Sequence, residues 1–423
     1  MEIGERIRQI RIHKKLTQKD LVDGICSLTY LSRIENKQIQ PSKAFLLKIA
    51  DKLDINIGLL TEEDTSEFES DINEITEKYR NESIISPKEI ALLELNVQNT
   101  TSLPMLLKSY SVLIAYYLGI DDVERASILF EDSTKVIPSS LNTDHQDDFF
   151  FYYIKCGNFF YRKQNHLKAN EFYTKAEKLM DGQDVLEKAN LYYNLSLANQ
   201  NLYMDANVSL FYSEKALNLF KELELNESLA AVCISRGTQF HINADYPNSL
   251  KSLKEAEALL KNLPKPAYSA MIQYNFGKVY QGMQEFSKAI EHFKNAITIH
   301  NSISSRGNQI HSQLSLIEIY IQQKEWEKVE PLLKTAFEQA SIYEKPLAHM
   351  QLLKFKASIL RIRGDEYNYE KEMQRAIKFG QSNGLLQLIK EFSIELANYY
   401  ADVRAYKLST KYYKIALENS LTE

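Results

Sequence analysis

The 423-residue sequence contains few of the residues that mark turns, with only 13 Gly and 9 Pro. All-β folds need many Gly- and Pro-rich turns, and disordered chains are usually rich in the same residues, so neither class fits. Hydrophobic residues make up 44% and charged residues 25%, which are ordinary values for a globular chain with a sizeable core. The composition therefore predicts an all-α protein of two to three domains.

Cysteines and long apolar runs are also scarce. Cys26, Cys156 and Cys233 lie far apart with no C-x-x-C spacing, so neither a disulfide framework nor a zinc site is indicated. The sequence begins with charged residues and has no run of 18 apolar residues, so we expect neither a signal peptide nor a membrane span. These features predict a cytoplasmic protein with no membrane partner.

Catalytic motifs are missing as well. The sequence has neither a G-x-x-x-x-G-K-[ST] loop nor a G-x-G-x-x-G loop for phosphates. The eight His residues are scattered, and even His292 and His300 are too far apart along a helix to share a metal ion. We therefore expect no catalytic residues, no metal and no cofactor.

The charge of the chain is distributed unevenly. Residues 1–60 contain 11 Lys+Arg against 7 Asp+Glu, whereas the remainder contains 40 against 49. A small basic segment ahead of a larger acidic one indicates that only the first segment contacts a polyanion. We call residues 1–60 the head.

The head is predicted to contain four short helices. Apolar residues at i, i+4 and i+7 from Ile3 give the first helix one buried stripe. Thr17 is the expected N-cap of a second helix, Gly24 breaks the chain, and Ser27 caps a third helix. Pro41 precedes a fourth helix.

Two short helices joined through a glycine turn are typical of a helix-turn-helix, whose second helix enters the major groove of DNA. Its first turn would face base edges, and Arg33 and Lys37 would lie near phosphates.

Segments 16–21 and 30–37 resemble the XRE/Cro-type DNA-binding domain over about 55 residues. That resemblance places Gln18 at the DNA backbone. The alternative for any single side chain is an ordinary solvated surface. The candidate DNA-binding residues are Thr17, Gln18, Ser27, Leu28, Thr29, Tyr30, Arg33 and Lys37.

The rest of the chain repeats itself. Alanines recur every 40 residues from Ala176 to Ala416, and a small residue commonly precedes them by 19 positions. Small residues at fixed places on paired helices let two backbones approach, and each pair buries its apolar face against its neighbours. We count eight such pairs between about residue 101 and residue 423, preceded by a degenerate hairpin over 67–100 that is broken at Pro87. The predicted domains are 1–60 and 67–423, with a linker at 61–66.

The pattern over residues 277–296 resembles a tetratricopeptide repeat stretched to 40 residues. The resemblance implies a right-handed tetratricopeptide-repeat superhelix whose first helices line a groove. An Asn amide both donates and accepts hydrogen bonds, so it can hold a peptide backbone, and Lys or Arg can hold a carboxylate. The alternative is that these are ordinary exposed helix residues. The candidate peptide-binding residues are Lys155, Asn158, Arg162, Asn194, Asn201, Asn275 and Lys278.

The combination of this head with about nine helical hairpins resembles the RRNPP family of quorum-sensing regulators. The resemblance implies a receptor for a short, secreted and re-imported signalling oligopeptide that regulates protease or sporulation genes. Asn158, Asn194 and Asn275 best fit the asparagines with which the family holds its peptides. The double-stranded DNA operator would be bound by a dimer or tetramer, because a single head makes few phosphate contacts.

Two alternatives remain open. In the first, the chain is an adaptor that binds a sporulation phosphorelay response regulator and alters its phosphorylation, with Gln98 as a candidate contact. In the second, it is a repressor whose repeats bind another protein constitutively. The first alternative follows from the family resemblance alone, because no residue pattern in the sequence indicates it.

Overall fold

The computed structural model describes residues 3–14, 16–36, 38–53, 55, 57, 60, 65–100, 102–138, 145–203, 205–263, 265–303 and 307–419. The described residues form helices and connecting turns, without a β-strand among them. The chain divides into two compact units, an N-terminal unit of residues 1–203 and a C-terminal unit of residues 204–423. No helix within these described ranges is long and apolar enough to cross a membrane.

The head contains the four predicted helices. They are α1 (Ile3–His13), α2 (Gln18–Val22), α3 (Leu28–Glu35) and α4 (Lys43–Leu53). The Oγ1 of Thr17 accepts a hydrogen bond from the backbone N–H of Asp20, and the Oγ of Ser27 accepts one from that of Tyr30. Both side chains satisfy N–H groups that have no partner inside the helix, so both predicted caps are confirmed.

A helical hairpin follows the head. It consists of α5 (Thr65–Glu82) and α6 (Pro87–Asn99), with the predicted break at Pro87. The Nζ of Lys78 lies 2.9 Å from the Oε1 of Glu89 and joins the two helices. The predicted linker is wrong at its end, because Thr65 and Ser66 form the first turn of α5, and residues 61–64 lie outside the described residues.

The head packs on this hairpin. The side chain of Leu95 in α6 belongs to the same buried cluster as Ile10 of α1, Leu53 of α4 and Leu60. A hydrophobic core that includes a residue from α6 stabilises the contact between head and hairpin through the burial of apolar surface. Within the N-terminal unit the head is therefore anchored to α6.

The remaining helices follow one another along the chain, and neighbouring helices pack in pairs within each unit. The N-terminal unit contains α7 (Leu103–Gly119), α8 (Val123–Val136), α9 (Gln146–Arg162), α10 (His166–Glu177) and α11 (Val185–Gln200). The C-terminal unit contains α12 (Asn207–Glu222), α13 (Asn226–Ile242), α14 (Tyr246–Leu259), α15 (Pro266–Gly282), α16 (Phe286–Ser302), α17 (Ile310–Gln322), α18 (Trp326–Ile342), α19 (Pro346–Ile362), α20 (Glu366–Ser382), α21 (Leu386–Asp402) and α22 (Tyr406–Glu418).

Small residues allow the paired helices to approach closely. A Cβ on Gly157 of α9 would lie 2.3 Å from the ring of Tyr173 in α10, and one on Gly277 of α15 would lie 2.6 Å from the ring of Phe293 in α16. Both aromatic rings are buried. The alanines of the 40-residue period are buried too, which confirms the predicted packing: Ala176, Ala216, Ala256, Ala296, Ala336, Ala376 and Ala416.

A second period of 40 residues appears at the turns. The second residue after the first helix of several pairs has a left-handed backbone, with φ of +60° at Gln164, +54° at Ala244, +63° at Gln284 and +77° at Gly364. Glycine occupies such positions most easily, yet this chain uses other residues at most of them. The chain therefore forms these left-handed turns although its sequence contains few glycines.

Candidate functional site

The helix-turn-helix presents part of its predicted DNA-binding surface to solvent. The side chains of Leu28, Thr29 and Arg33 on α3 are exposed. Residues 29 and 33 are one turn apart and therefore share a helix face. Thr17 and Ser27 are exposed as well, with their hydroxyl oxygens engaged in capping. Hydrogen bonds from the side chain and backbone of Thr17 hold the pKa of Asp20 below its usual value. Lys37 lies outside the described residues.

The structure gives Gln18 a partner inside the head. Its Nε2 donates a hydrogen bond to the Oε2 of Glu35 over 2.7 Å, and the side chain is half-buried. Glu35 also accepts hydrogen bonds of 2.8 and 3.0 Å from Arg11, and both of these residues are buried. The amide nitrogen of Gln18 is thus committed to a polar network that joins α1, α2 and α3. Its proposed contact with the DNA backbone stays a prediction.

Tyr30 is only partly available to DNA. Its ring packs edge-on against Phe45 of α4, with 5.2 Å between the ring centroids. It is half-buried against the apolar core of the head. The first turn of α3 therefore offers Leu28 and Thr29 as its exposed side chains, whereas Tyr30 fixes α3 to α4.

The N-terminal unit brings together two of the predicted asparagines. The Nδ2 of Asn194 in α11 lies 3.3 Å from the Oδ1 of Asn158 in α9, and the hydroxyl of Tyr173 donates to the same oxygen over 2.8 Å. Within the described residues, the Nδ2 of Asn158 and the Oδ1 of Asn194 have no hydrogen-bond partner. We call Asn158, Asn194 and Tyr173 the Asn158 site.

Lys155 lies one turn before Asn158 on α9. Its Nζ is 4.5 Å from the ring centroid of Phe151, and within the described residues it makes no hydrogen bond or ion pair. Burial lowers the pKa of Lys155, while the charge of Glu187 on α11 acts in the opposite direction. A desolvated ammonium without a contacting counter-ion attracts an anionic ligand group.

Arg162 and Asn201 lie away from this pair. Arg162 is the last residue of α9, and its guanidinium forms an exposed ion pair of 2.6 Å with Asp121. Asn201 is the exposed C-cap of α11, and its Nδ2 donates to the backbone carbonyl of Leu197 over 3.0 Å. Both side chains have local partners, so their predicted contact with a peptide needs those bonds to be exchanged.

The C-terminal unit contains the other two predicted residues. Asn275 on α15 is half-buried, and its amide has no hydrogen-bond partner in the described part of the chain. Lys278 donates to the Oε1 of Gln281 over 3.2 Å, and Gln281 in turn donates to Glu318 of α17 over 2.9 Å. This network connects α15 to α17 and does not involve Asn275.

The described residues include no group of three or more His, Cys, Asp or Glu side chains that could hold a metal ion. The polar groups around Asn158 and Asn275 are amides, the Tyr173 hydroxyl and the cations of Lys155 and Lys278. Such groups bind backbone amides and carboxylates through hydrogen bonds.

Three side chains at these sites were missed from the sequence. The hydroxyl of Tyr173 orients Asn158. Glu35 accepts the hydrogen bonds at the centre of the polar network of the head. Arg80 of α5 lies 4.3 Å from the ring of Phe151 and thus next to Lys155. Sequence distances of 15 to 71 residues separate these partners, so no local pattern indicates them.

Comparison with known proteins adds independent information. Residues 7–60 match the helix-turn-helix family. The chain is 26% identical over 415 residues to the transcriptional activator NprA of Geobacillus stearothermophilus, covering 94% of this chain and 98% of that protein. It is 25% identical over 297 residues to response regulator aspartate phosphatase I of Bacillus subtilis (strain 168), covering 64% of this chain and 68% of that protein.

Solved structures share the fold. The crystal structure of NprR in complex with its cognate peptide NprX matches with a TM-score of 0.59 at 15% identity, over 84% of this chain and 99% of that one. The helix-turn-helix head, the relationship to NprA along nearly the whole chain and the NprR-like helical repeats agree with the resemblance seen in the sequence. The chain is thus similar to NprA along nearly its whole length, matches the helix-turn-helix family over the head, and shares the fold of NprR.

Proposed function

We propose that this chain is a peptide-responsive, DNA-binding transcription regulator. The observation that carries the proposal is the presence, in one compact unit, of a helix-turn-helix head and a pair of asparagines with unused hydrogen-bonding groups. The head would bind a double-stranded operator as part of a dimer or tetramer. The repeats would bind a short signalling oligopeptide inside the cell.

The Asn158 site suits the backbone of an extended peptide. A peptide unit offers one N–H donor and one C=O acceptor, and the Asn158 site offers one free Nδ2 donor and one free Oδ1 acceptor. Tyr173 and the bond between Asn158 and Asn194 hold these groups in place before a ligand arrives, which reduces the entropy cost of binding. Asn275, in the C-terminal unit, is a separate candidate for an amide contact.

The relatives support both halves of the proposal. NprA is named a transcriptional activator, and NprR was solved with a peptide. The chain spans nearly the full length of both proteins. Control of protease or sporulation genes would follow from the same kinship.

DNA binding is tested by selecting duplexes from a random double-stranded library with the full-length protein, followed by gel-shift titration. Thr29→Ala with Arg33→Ala should abolish specific binding, because these changes remove a base-facing hydroxyl and a phosphate-facing charge. Lys48→Ala on α4 is the matched control, since Lys48 is an exposed cation outside α2 and α3. Retention of operator binding by the double variant would contradict the assignment of α3.

Peptide binding is tested by passing a library of short random peptides over the full-length protein and identifying the retained peptides by mass spectrometry. Light scattering and gel shift with a retained peptide then show whether it alters mass and operator binding. Asn158→Ala and Asn275→Ala should each weaken binding without unfolding the chain. Asn295→Ala, an exposed asparagine on α16, is the control. Unchanged affinity in the two site variants would refute the assignment.

The second candidate function is that of an adaptor for a response regulator. It is favoured by the similarity to response regulator aspartate phosphatase I, and Gln98 is exposed at the end of α6. The Thr29→Ala, Arg33→Ala variant separates the two functions, because it should lose DNA binding and keep any effect on a phosphorylated response regulator. Phosphate release from purified phosphorylated response regulators measures that effect.

A further inference from the structure

The N-terminal unit contains a pair of cations beside one buried aromatic ring. The Cζ of Arg80 on α5 lies 4.3 Å from the centroid of Phe151, and the Nζ of Lys155 on α9 lies 4.5 Å from it. Phe151 is buried at 2% exposure. We call Arg80 and Lys155 the cation pair.

Among the described residues, Lys155 has no carboxylate in direct contact, whereas Arg80 forms one long ion pair. Glu77 lies 3.6 Å from Arg80, and the Nη2 of Arg80 donates over a long 3.4 Å to the backbone carbonyl of Asp147. The buried Nε of Arg80 has no partner among the described residues. Glu187 influences Lys155 only through its charge, with no ion pair between them among the described contacts.

The two cations repel each other, and one of them is desolvated and lacks a contacting anion. An anion bound between them would be stabilised by its attraction to both. The ring of Phe151 adds an apolar surface beside that position. A flat carboxylate matches the fork of a guanidinium and accepts hydrogen bonds from an ammonium at the same time.

We propose that the cation pair is a carboxylate subsite of the peptide-binding site, an inference that rests on the proposed function. Lys155 and Asn158 are three residues apart on α9, so their Cβ atoms lie roughly 5–6 Å apart on the same face. A peptide whose backbone is held at the Asn158 site therefore places a carboxylate of the same or the adjacent residue at the cation pair. That carboxylate belongs either to an acidic side chain or to the C-terminus of the peptide.

The experiment uses four pools of random heptapeptides and the full-length protein. The pools combine the presence or absence of Asp and Glu with a free or an amidated C-terminus, and retained peptides are quantified by mass spectrometry. The wild-type protein should retain pools that have a carboxylate and not the amidated pool that lacks Asp and Glu. The acidic amidated pool and the non-acidic free-acid pool identify which carboxylate is bound.

Variants of the cation pair link this selectivity to the structure. Lys155→Gln and Arg80→Gln should each weaken binding of retained peptides by about tenfold or more, because each removes a charge-assisted hydrogen bond. Lys155→Arg should restore most of the affinity. Lys175→Gln on α10, which removes another lysine that lies over aromatic rings, should have no effect. Circular dichroism of each variant checks that the fold is intact.

The outcomes distinguish a failure of the proposed carboxylate subsite from a failure of the proposed peptide-receptor function. Strong retention of the amidated pool without acidic residues, or unchanged binding by Lys155→Gln, overturns the carboxylate subsite and leaves the peptide receptor standing. Retention of no pool by the wild-type protein overturns both.

Discussion

Glu35 connects three helices of the head through its carboxylate. It accepts hydrogen bonds from Arg11 and Gln18, and its exposure is 5%. A buried ion pair contributes little net stability relative to apolar residues, but removal of one partner leaves the other charge buried and alone. The relative positions of α1, α2 and α3 therefore depend on an intact pair.

We predict that Glu35→Ala destabilises the head by about 3 kcal/mol, whereas Gln18→Ala costs only about 1 kcal/mol, because Gln18 is uncharged and half-buried. Hydrogen exchange of the α3 backbone amides in the full-length protein measures the difference. Replacing both Arg11 and Glu35 by leucine should recover much of the loss. Equal costs for the two single variants would show that the charge is unimportant.

Individual residues were harder to predict than their helices. The sequence marked Thr17 and Ser27 as caps, because capping acts over three residues. It could not show that Gln18 bonds to Glu35, or that Arg162 pairs with Asp121, since these contacts join residues 17 and 41 positions apart. The local rules describe neighbours in the chain, and long-range partners require the fold.

At the scale of helices, the left-handed turns have a measurable cost. A non-glycine residue pays roughly 1–2 kcal/mol for such a backbone, because its Cβ approaches the following carbonyl oxygen. Gln284 and Gly364 occupy the same place in two repeats, with φ of +63° and +77°. The two positions form an internal comparison.

We predict that Gln284→Gly stabilises the C-terminal unit by roughly 0.5–1 kcal/mol and that Gly364→Ala destabilises it by a similar amount. The gain is smaller than the full backbone cost because glycine also increases the entropy of the unfolded chain. Thermal unfolding followed by circular dichroism measures both changes. Gly119→Ala at the end of α7 is a control in which a Cβ meets nothing within 4 Å. Changes of the same sign at 284 and 364 would contradict the argument.

The hairpin of α5 and α6 should respond to acid. Hydrogen bonds from the Ser86 backbone, and then from Lys78 and the Ser86 hydroxyl, lower the pKa of Glu89 to about 2 from an ordinary value of 4.5. A lowered pKa means that the stabilisation is complete above pH 4.5 and is lost as the pH falls toward about 2.

We therefore predict that Glu89→Gln removes part of the loss of stability that occurs on acidification through this range. Because Glu89 is only part-buried, the effect should also shrink at high salt. Urea unfolding at a series of pH values and two salt concentrations measures it. Identical pH profiles of the variant and the wild type would mean that the contacts of the Glu89 carboxylate with Ser86 and Lys78 do not stabilise the hairpin.

The arrangement of helices was largely predictable, since a 40-residue period and capping residues are local or repeated signals. The paired helices within each unit and the break at Pro87 followed from those signals. The linker was wrong at Thr65 and Ser66, because polar residues that suit a turn also suit the first turn of a helix. The contact of Leu95 with the head could not be predicted, since its partners lie 35 or more residues earlier.

At the scale of the N-terminal unit, one hairpin touches both candidate sites. Leu95 of α6 lies in the core of the head, while Arg80 of α5 lies beside Lys155. The pair formed by Lys78 and Glu89 links α5 to α6. A ligand at the Asn158 site can change operator binding only if it binds two states of the protein with different affinities. The position of this hairpin against the head is the structural difference we expect between those states.

We predict that Leu95→Ala uncouples the two sites. The truncation leaves the exposed α3 surface unchanged, so operator affinity without peptide should stay within about twofold, since changes away from the interface cost little. The ratio of operator affinities with and without a peptide retained from the library should fall toward 1, because the head no longer packs firmly on α6. Gel-shift titration of the selected operator measures this ratio.

Leu93→Ala is the matched control, because Leu93 is buried in the same helix without being part of the core of the head. If Leu95→Ala and Leu93→Ala both keep the full response to peptide, the signal reaches the head by another route. A change in self-association that brings two heads together is then the mechanism to test, and light scattering measures it.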